Sequence, residues 1–304
     1  MDSTHEERLR RARIALEGLS VGDAFGDRFF MHADLALALI RSRAIPKAPW
    51  EYTDDTNMAL SIYQILRQHQ KIDQRELARS FATHYDSKRG YGPAMHGLLS
   101  RIRQGESWES AAADLFSGQG SYGNGGAMRV APIGAYFADD LEAVIENARL
   151  SAEITHAHPE GIAGAIAVAV ATAVAYRLRE ANQNLKRSEF IEQILPFIPP
   201  SEVKSKVQRA AKISTRTSVE NVTAMLGNGY QVTAQDTVPF VLWSAGENLL
   251  DYEQAIWQTA SALGDVDTTC AMVGGIVAMY TGIEGIPAEW INRREPLPEW
   301  AFED

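Results

Sequence analysis

The run Gly161–Tyr176, GIAGAIAVAVATAVAY, constrains the fold more than any other segment. It is uncharged and built mainly of Ala, Gly, Val and Ile. It is shorter than the roughly 20 residues that a bilayer span needs, and Ala is the strongest helix former. A helix apolar on every side has to be covered on every side. The run therefore predicts a buried helix at the centre of a soluble bundle, with no membrane span. The rest of the chain must supply the amphipathic shell.

The remaining pattern supplies it. In Asp55–Gln68, Met58, Ile62, Ile65 and Leu66 recur at three- and four-residue spacings. Glu76–Tyr85, Trp108–Phe116, Leu141–Ala152, Phe190–Leu195, Val203–Ile213, Val219–Leu226 and Tyr252–Leu263 show the same period. Strand alternation is nearly absent, and Tyr230–Thr233 is the best short candidate. Pro196, Pro199 and Pro200 break a helix, but apolar pattern continues on both sides. With no repeat, linker or low-complexity tract, the 304 residues predict a single all-α domain spanning 1–304.

Charge and cysteine usage narrow the function classes. There are 39 Asp+Glu against 29 Lys+Arg, a formal net charge of -10. That balance argues against gripping nucleic acid through bulk charge, while a local pocket for a small anion stays open. Cys270 is the only cysteine, so no internal disulfide forms, and a reducing compartment is expected. The opening MDSTHEERLRRARIALEG puts acids before basics and has no apolar core, unlike a secretory signal. These features predict a cytoplasmic protein.

Three segments carry chemistry. Tyr52-Thr53-Asp54-Asp55-Thr56 precedes a strong amphipathic helix, and Gly264-Asp265-Val266-Asp267-Thr268-Thr269 precedes the apolar run Cys270–Tyr280. Either alone reads as helix capping. Their recurrence near opposite ends of the chain suggests something more. Clustered Asp and Thr oxygens suit Mg²⁺ or Ca²⁺, and converging carboxylates without a cation repel one another. No His or Cys set accompanies them, which argues against zinc. The third segment is Gly118-Gln119-Gly120-Ser121-Tyr122-Gly123-Asn124-Gly125-Gly126-Ala127-Met128-Arg129. Its glycines let backbone N–H groups converge on an anion, Tyr122 can stack, and Arg129 can pair with a phosphate or a buried acid. It lacks the Gly-Lys-Ser/Thr ending of a Walker A loop. His156 and His158 read as ordinary polar or capping residues, Cys270 as a small core residue, and Trp50, Trp243, Trp257 and Trp290 as core or rim.

Together these segments resemble the ADP-ribosylglycohydrolase family. The matches are GLSVGDAFGD (Gly18–Asp27), YTDDTNMAL (Tyr52–Leu60), RGYG (Arg89–Gly92), GQGSYGNGGAMRVAPIG (Gly118–Gly134), THAHPEGIAGAI (Thr155–Ile166), LGNG (Leu226–Gly229) and ALGDVDTTCAMVGGIVAMYTG (Ala262–Gly282). The glycine loop is similar to the branch that releases serine-linked ADP-ribose. The resemblance implies an all-helical fold and two Mg²⁺ ions held by Thr53, Asp54, Asp55, Asp265, Asp267 and Thr268. It implies that Gly120, Ser121, Tyr122, Gly123 and Asn124 contact the diphosphate, that Phe116 and Tyr122 flank the adenosine, that His156 lies in the ligand cleft, and that Gly90 lies near the distal ribose.

One departure stands out. Many family members carry a metal-contacting Glu four residues after the second Gly of GDxxG, and here that position is Phe30. Asp27 and Asp34 are the nearest acids, and Asp27 is chosen as the catalytic carboxylate beside Asp267. The expected activity is Mg²⁺-dependent release of ADP-ribose from an ADP-ribosylated protein side chain or from O-acetyl-ADP-ribose. The alternative is a binder of ADP-ribose or nucleotide that kept the site and lost the base. A purely structural role fits poorly with intact TDDT and GDVDT. The acceptor, whether serine, arginine, another nucleophile or the acetyl ester, is left open.

Overall fold

The computed structural model describes residues 3–303. In chain order its helices are α1 (His5–Asp27), α2 (Ala33–Arg41), α3 (Asp54–His69), α4 (Gln74–Thr83), α5 (Pro93–Arg103), α6 (Trp108–Ala113), α7 (Ala131–Tyr136) and α8 (Leu141–Glu153). There follow α9 (Pro159–Glu180), α10 (Arg187–Ile194), α11 (Glu202–Lys212), α12 (Val219–Leu226), α13 (Ala234–Glu247), α14 (Tyr252–Ala260), α15 (Val266–Thr281) and α16 (Ala288–Arg293). Among the described residues, β structure is limited to the isolated bridges Trp50↔Arg294 and Gly123↔Thr233. The best strand candidate, Tyr230–Thr233, therefore forms no strand. Only a single bridge ties that segment to the glycine loop, because Val232 turns into a left-handed φ of 55°.

The central helix forms as expected and runs longer than its apolar stretch. Pro159 opens α9, where its missing N–H costs nothing, and His158 caps it by accepting from Glu160 N. At 22 residues α9 is long and apolar enough to cross a membrane, yet 83% of its most apolar window is buried inside the protein. Nearly every residue from Gly161 to Ala175 is buried. The helix predicted over Trp108–Phe116 ends at Ala113, because Phe116 and Ser117 adopt φ of 53° and 59°.

Small residues set how closely the core helices approach. On α1, a Cβ at Gly18 would lie 2.4 Å from Gly274 O, one at Gly22 2.2 Å from Cys270 O, and one at Gly26 2.5 Å from Val266 O. The four-residue spacing puts these glycines on one stripe of α1, so its backbone lies directly on that of α15. On α7, a Cβ at Gly134 would lie 2.1 Å from Ala169 O, which brings α7 equally close to α9. The C-terminal end of α1 is locked by aromatics: Phe25 stacks on Trp290 at 4.5 Å and meets Trp50 and Trp257 edge-on. This packing fixes Asp23 on α1, the Trp50–Thr53 approach to α3, and the start of α15 against one another. Cys270 is buried, as expected of a small core residue.

Candidate metal centre and glycine loop

The two acidic segments meet. Thr53 is the N-cap of α3 and Asp265 that of α15, and the two helix starts converge beside the second-last turn of α1, at Asp23. Carboxyl oxygens of Asp23, Asp55 and Asp267 lie within 4.8 Å of one another. Thr268 Oγ1 donates to Asp55 Oδ2 at 3.3 Å, joining the segments directly. The carboxylates of Asp54, Asp55 and Asp265 are not spent on capping: α3 is capped by the Thr53 side chain, and Asp265 makes no side-chain cap bond. Asp267 accepts from the adjacent Thr268 N at 2.7 Å.

Burial and mutual repulsion raise the carboxyls of the cluster together. Burial pushes the Asp54 carboxyl up to about 8, reinforced by repulsion from Asp23. Burial, with repulsion from neighbouring Asp residues, drives Asp55 and Asp267 well above the carboxylate range. Burial raises Asp265 as well, against the hydrogen bond from Asn124. Asp55 Oδ1 is buried with no partner. An orphaned carboxylate oxygen facing other carboxylates fits a divalent cation with hard oxygen ligands. Thr53, Asp54, Asp55, Asp265, Asp267 and Thr268 all lie in this one constellation, so the residues present suit such an ion.

Sequence reasoning missed Asp23. It is fully buried and accepts from Thr53 N, Thr53 Oγ1, Thr56 N and Thr56 Oγ1. Burial raises its carboxyl to about 6, against those hydrogen bonds. The GD pair of GLSVGDAFGD is in the sequence, but nothing local shows that an acid on α1 serves the start of another helix.

A cavity of about 260 Å³ opens beside the cluster, lined by Asp27, Thr53, Arg89, Gly90 and Glu295 among others. Arg89 O accepts from Asp54 N at 2.7 Å, which sets Gly90 against the acidic turn. Arg89 itself is held by Glu295 and lies over the Tyr52 ring at 3.9 Å. Asp27 is half-buried here, and burial raises its carboxyl above the usual range. Phe30 is 56% exposed, and the Asp34 side chain is 93% exposed beside His32, so neither reaches the cluster. A larger cleft of about 780 Å³, between α4 and the α5–α6 turn, shares no residue with this one.

The glycine loop flanks the cluster from the other side. Ser121 O accepts from His158 N and Tyr122 O from Ala234 N, so these carbonyls face the protein. In a trans peptide the N–H points opposite to its carbonyl, so Tyr122 N–H is turned outward. Phe116 and Tyr122 are exposed with ring centroids 6.2 Å apart. Gly120 adopts a φ of 74° against the Ala157–His158 backbone. Asn124 is buried and donates to Asp265 Oδ2 at 2.6 Å and Thr237 Oγ1 at 3.1 Å, so its amide is turned toward the acidic cluster. His156 is buried under the loop: a Cβ at Gly125 would lie 2.8 Å from its ring and one at Gly123 3.2 Å. Burial lowers the His156 imidazole to about 3, helped by the nearby Arg129 charge. Arg129 makes no ion pair among the described residues, though its charge is felt by the nearby Asp54. It donates to Gly125 O, Ser151 O and Thr155 Oγ1 and lies over Phe81, a scaffold that holds the loop on α8.

The ADP-ribosylglycohydrolase family model matches residues 4–303. The chain is 29% identical to human ADP-ribosylhydrolase ARH3 over 96% of its length and 91% of that protein. It is 32% identical to the Xenopus tropicalis ARH3, covering 93% of this chain and 90% of that one. Among solved structures it is similar to an ADP-ribosylglycohydrolase-related protein complex, with a TM-score of 0.65 and 21% identity over 97% of this chain and 94% of that one.

Proposed function

The chain belongs to the ADP-ribosylglycohydrolase family, and from that premise we propose that it is a Mg²⁺-dependent hydrolase releasing ADP-ribose from an ADP-ribosylated acceptor. The observation that carries the reading is the meeting of TDDT and GDVDT around the unpartnered Asp55 Oδ1. Thr53, Asp54, Asp55, Asp265, Asp267 and Thr268 would hold two Mg²⁺ ions. When bound, such ions orient substrate hydroxyls and stabilise developing negative charge.

The protein's own groups do the rest. Tyr122 N–H, turned outward by the anchored Ser121 carbonyl, donates to the diphosphate. Phe116 and Tyr122 offer exposed faces to the adenine. Gly120, Ser121, Gly123 and Asn124 shape the same loop, and neutral His156 supports it from below. Gly90, beside Asp54, leaves room for the distal ribose. Water attacks the anomeric carbon as its bond to the acceptor breaks, and Asp27 takes the water proton. A carboxyl raised by burial is suited to that role, worth about 10²–10⁴ in rate. The proton taken up by Asp27 is returned to the departing acceptor, so the carboxylate is restored at the end of the turnover.

A second reading, a binder without turnover, is favoured by one observation: Phe30 carries no carboxylate and is solvent-exposed. Chromatography of an ADP-ribosylated protein incubated with this chain and Mg²⁺ separates the two. Free ADP-ribose appearing over many turnovers supports the hydrolase. Calorimetric ADP-ribose binding with no release from the substrate supports the binder.

A further inference from the structure

We propose that Asp23 is a positioning residue that sets the divalent-cation affinity of the Thr53–Asp54–Asp55 turn through the Thr53 hydroxyl. The inference rests on the cation-binding reading above. Although its carboxyl lies among those of Asp55 and Asp267, Asp23 is already engaged by four hydrogen bonds. Its Oδ2 accepts from Thr53 N at 3.0 Å, Thr56 N at 3.1 Å and Thr56 Oγ1 at 2.5 Å, and its Oδ1 accepts from Thr53 Oγ1 at 2.8 Å. Oδ2 is saturated by its three donors, and Oδ1 is committed to the Thr53 hydroxyl.

The bonds have a purpose at the start of α3. A helix start leaves its first N–H groups without intrahelical partners. Here Asp54 N is satisfied by Arg89 O, and Asp55 N by Thr53 Oγ1 at 3.4 Å. Thr53 N and Thr56 N are both satisfied by Asp23, so α3 is capped from α1. The glycine stripe that lays α1 on α15 thus also fixes the acidic turn of α3 against the acidic turn of α15.

The Thr53 hydroxyl has one proton and two carboxylates within reach, Asp23 Oδ1 at 2.8 Å and Asp55 Oδ2 at 3.0 Å. Donated to Asp23, the proton leaves Asp55 Oδ2 with only the long 3.3 Å bond from Thr268 Oγ1 and turns the Thr53 lone pairs toward the cluster. Donated to Asp55, it occupies an oxygen the cation needs. Asp23 therefore settles the orientation of its neighbours, the role that partners behind metal ligands commonly play.

Asp23→Asn isolates this role. The amide oxygen can still serve the three donors on the Oδ2 side, so the cap persists. The amide NH₂ then faces Thr53 Oγ1, which must send its proton to Asp55. The probe is Mg²⁺ alone, titrated calorimetrically into the chelator-stripped full chain, with circular dichroism to check folding. Asp23→Asn is expected to stay helical and to bind Mg²⁺ about 10–100-fold more weakly, the usual cost of disturbing such a partner. In a Thr53→Val background the same change should cost less than about threefold, because its route is gone. The Mg²⁺-induced rise in melting temperature up to millimolar ion reads this cycle even when binding is weak. A loss in Asp23→Asn below about fivefold, well short of that cost, overturns the proposal, as does an equal loss in both backgrounds. If Asp23→Asn does not fold, Asp23→Ser takes its place in the same cycle, with an unchanged Mg²⁺ affinity or an equal loss in both backgrounds again refuting the route through Thr53. A wild type that binds no Mg²⁺ removes the premise itself, an outcome distinct from a wild type that binds and a variant that binds equally well.

Discussion

His156 offers a quantitative check on how the glycine loop is held. Its ring is buried beneath Gly123, Gly125 and Gly126, with Nδ1 2.7 Å from Thr155 Oγ1. Burial lowers the folded-state value to about 3 from the ordinary 6.5. The folded ring stays neutral while the unfolded ring takes a proton below about 6.5. Stability from this group is therefore complete above that pH and is lost progressively as pH falls toward 3. At pH 5 the loss relative to pH 7 comes to about 2 kcal/mol, one and a half pK units at ~1.4 kcal/mol each. In His156→Gln this dependence vanishes, while any fixed packing cost of the substitution is the same at both pH values. All other titrating groups are shared and cancel in the comparison. Thermal unfolding of both proteins followed by circular dichroism should show the wild type losing about 3 °C more than the variant between pH 7 and pH 5, for a chain of this length. Parallel melting curves across that range would refute a buried, neutral imidazole and the loop support built on it.

Asp54→Ala and Asp267→Ala should each abolish Mg²⁺ binding and turnover yet leave the far-ultraviolet spectrum helical, since α3 is capped by Thr53 and Asp23 and a cap is worth only ~1 kcal/mol. Equilibrium dialysis that finds Mg²⁺ still bound to either variant would contradict the assignment. Gly125→Val should weaken ADP-ribose binding about tenfold or more, because its Cβ would lie 2.8 Å from the His156 ring and overpacking costs ~1–3 kcal/mol. Gly123→Ala, at an ordinary φ of -61° with its nearest contact at 3.2 Å, should cost less, and calorimetry giving the reverse order would show that the loop does not rest on His156. Asp27→Asn should lower single-turnover hydrolysis by roughly 10²–10⁴ with Mg²⁺ and ADP-ribose affinities kept; a silent substitution in an active enzyme would eliminate Asp27 as the base.

What the sequence could show depended on whether a helix signals through its side chains. α9 was legible because an uncharged Ala-rich run has few alternatives to a buried helix. α3, α8, α11 and α12 were legible because one face is wet and the other dry. α1 left no such trace: its contact face is Gly18, Gly22 and Gly26, and it buries Arg11, Glu17 and Asp23. α13 is buried almost all round and contains Pro239, so neither period nor propensity marks it. The metal-side pairing of TDDT with GDVDT was legible because the same composition recurs at two helix starts. Asp23 was not, because capping a helix from a different helix writes no local motif. On sequence alone Arg129 can pair with a phosphate or a buried acid, and in the fold its terminal nitrogens donate to three carbonyl or hydroxyl oxygens while it lies over the Phe81 ring.

The central claim is that the two acidic helix starts bind divalent cations that the hydrolysis requires. The most direct measurement strips the protein with a chelator, then follows bound Mg²⁺ per chain and ADP-ribose release from one ADP-ribosylated substrate as Mg²⁺ is restored. The account predicts no release from the stripped protein, and activity returning in step with occupancy of two ions per chain. Full release by the chelated protein, or restored activity with no Mg²⁺ bound, would contradict it.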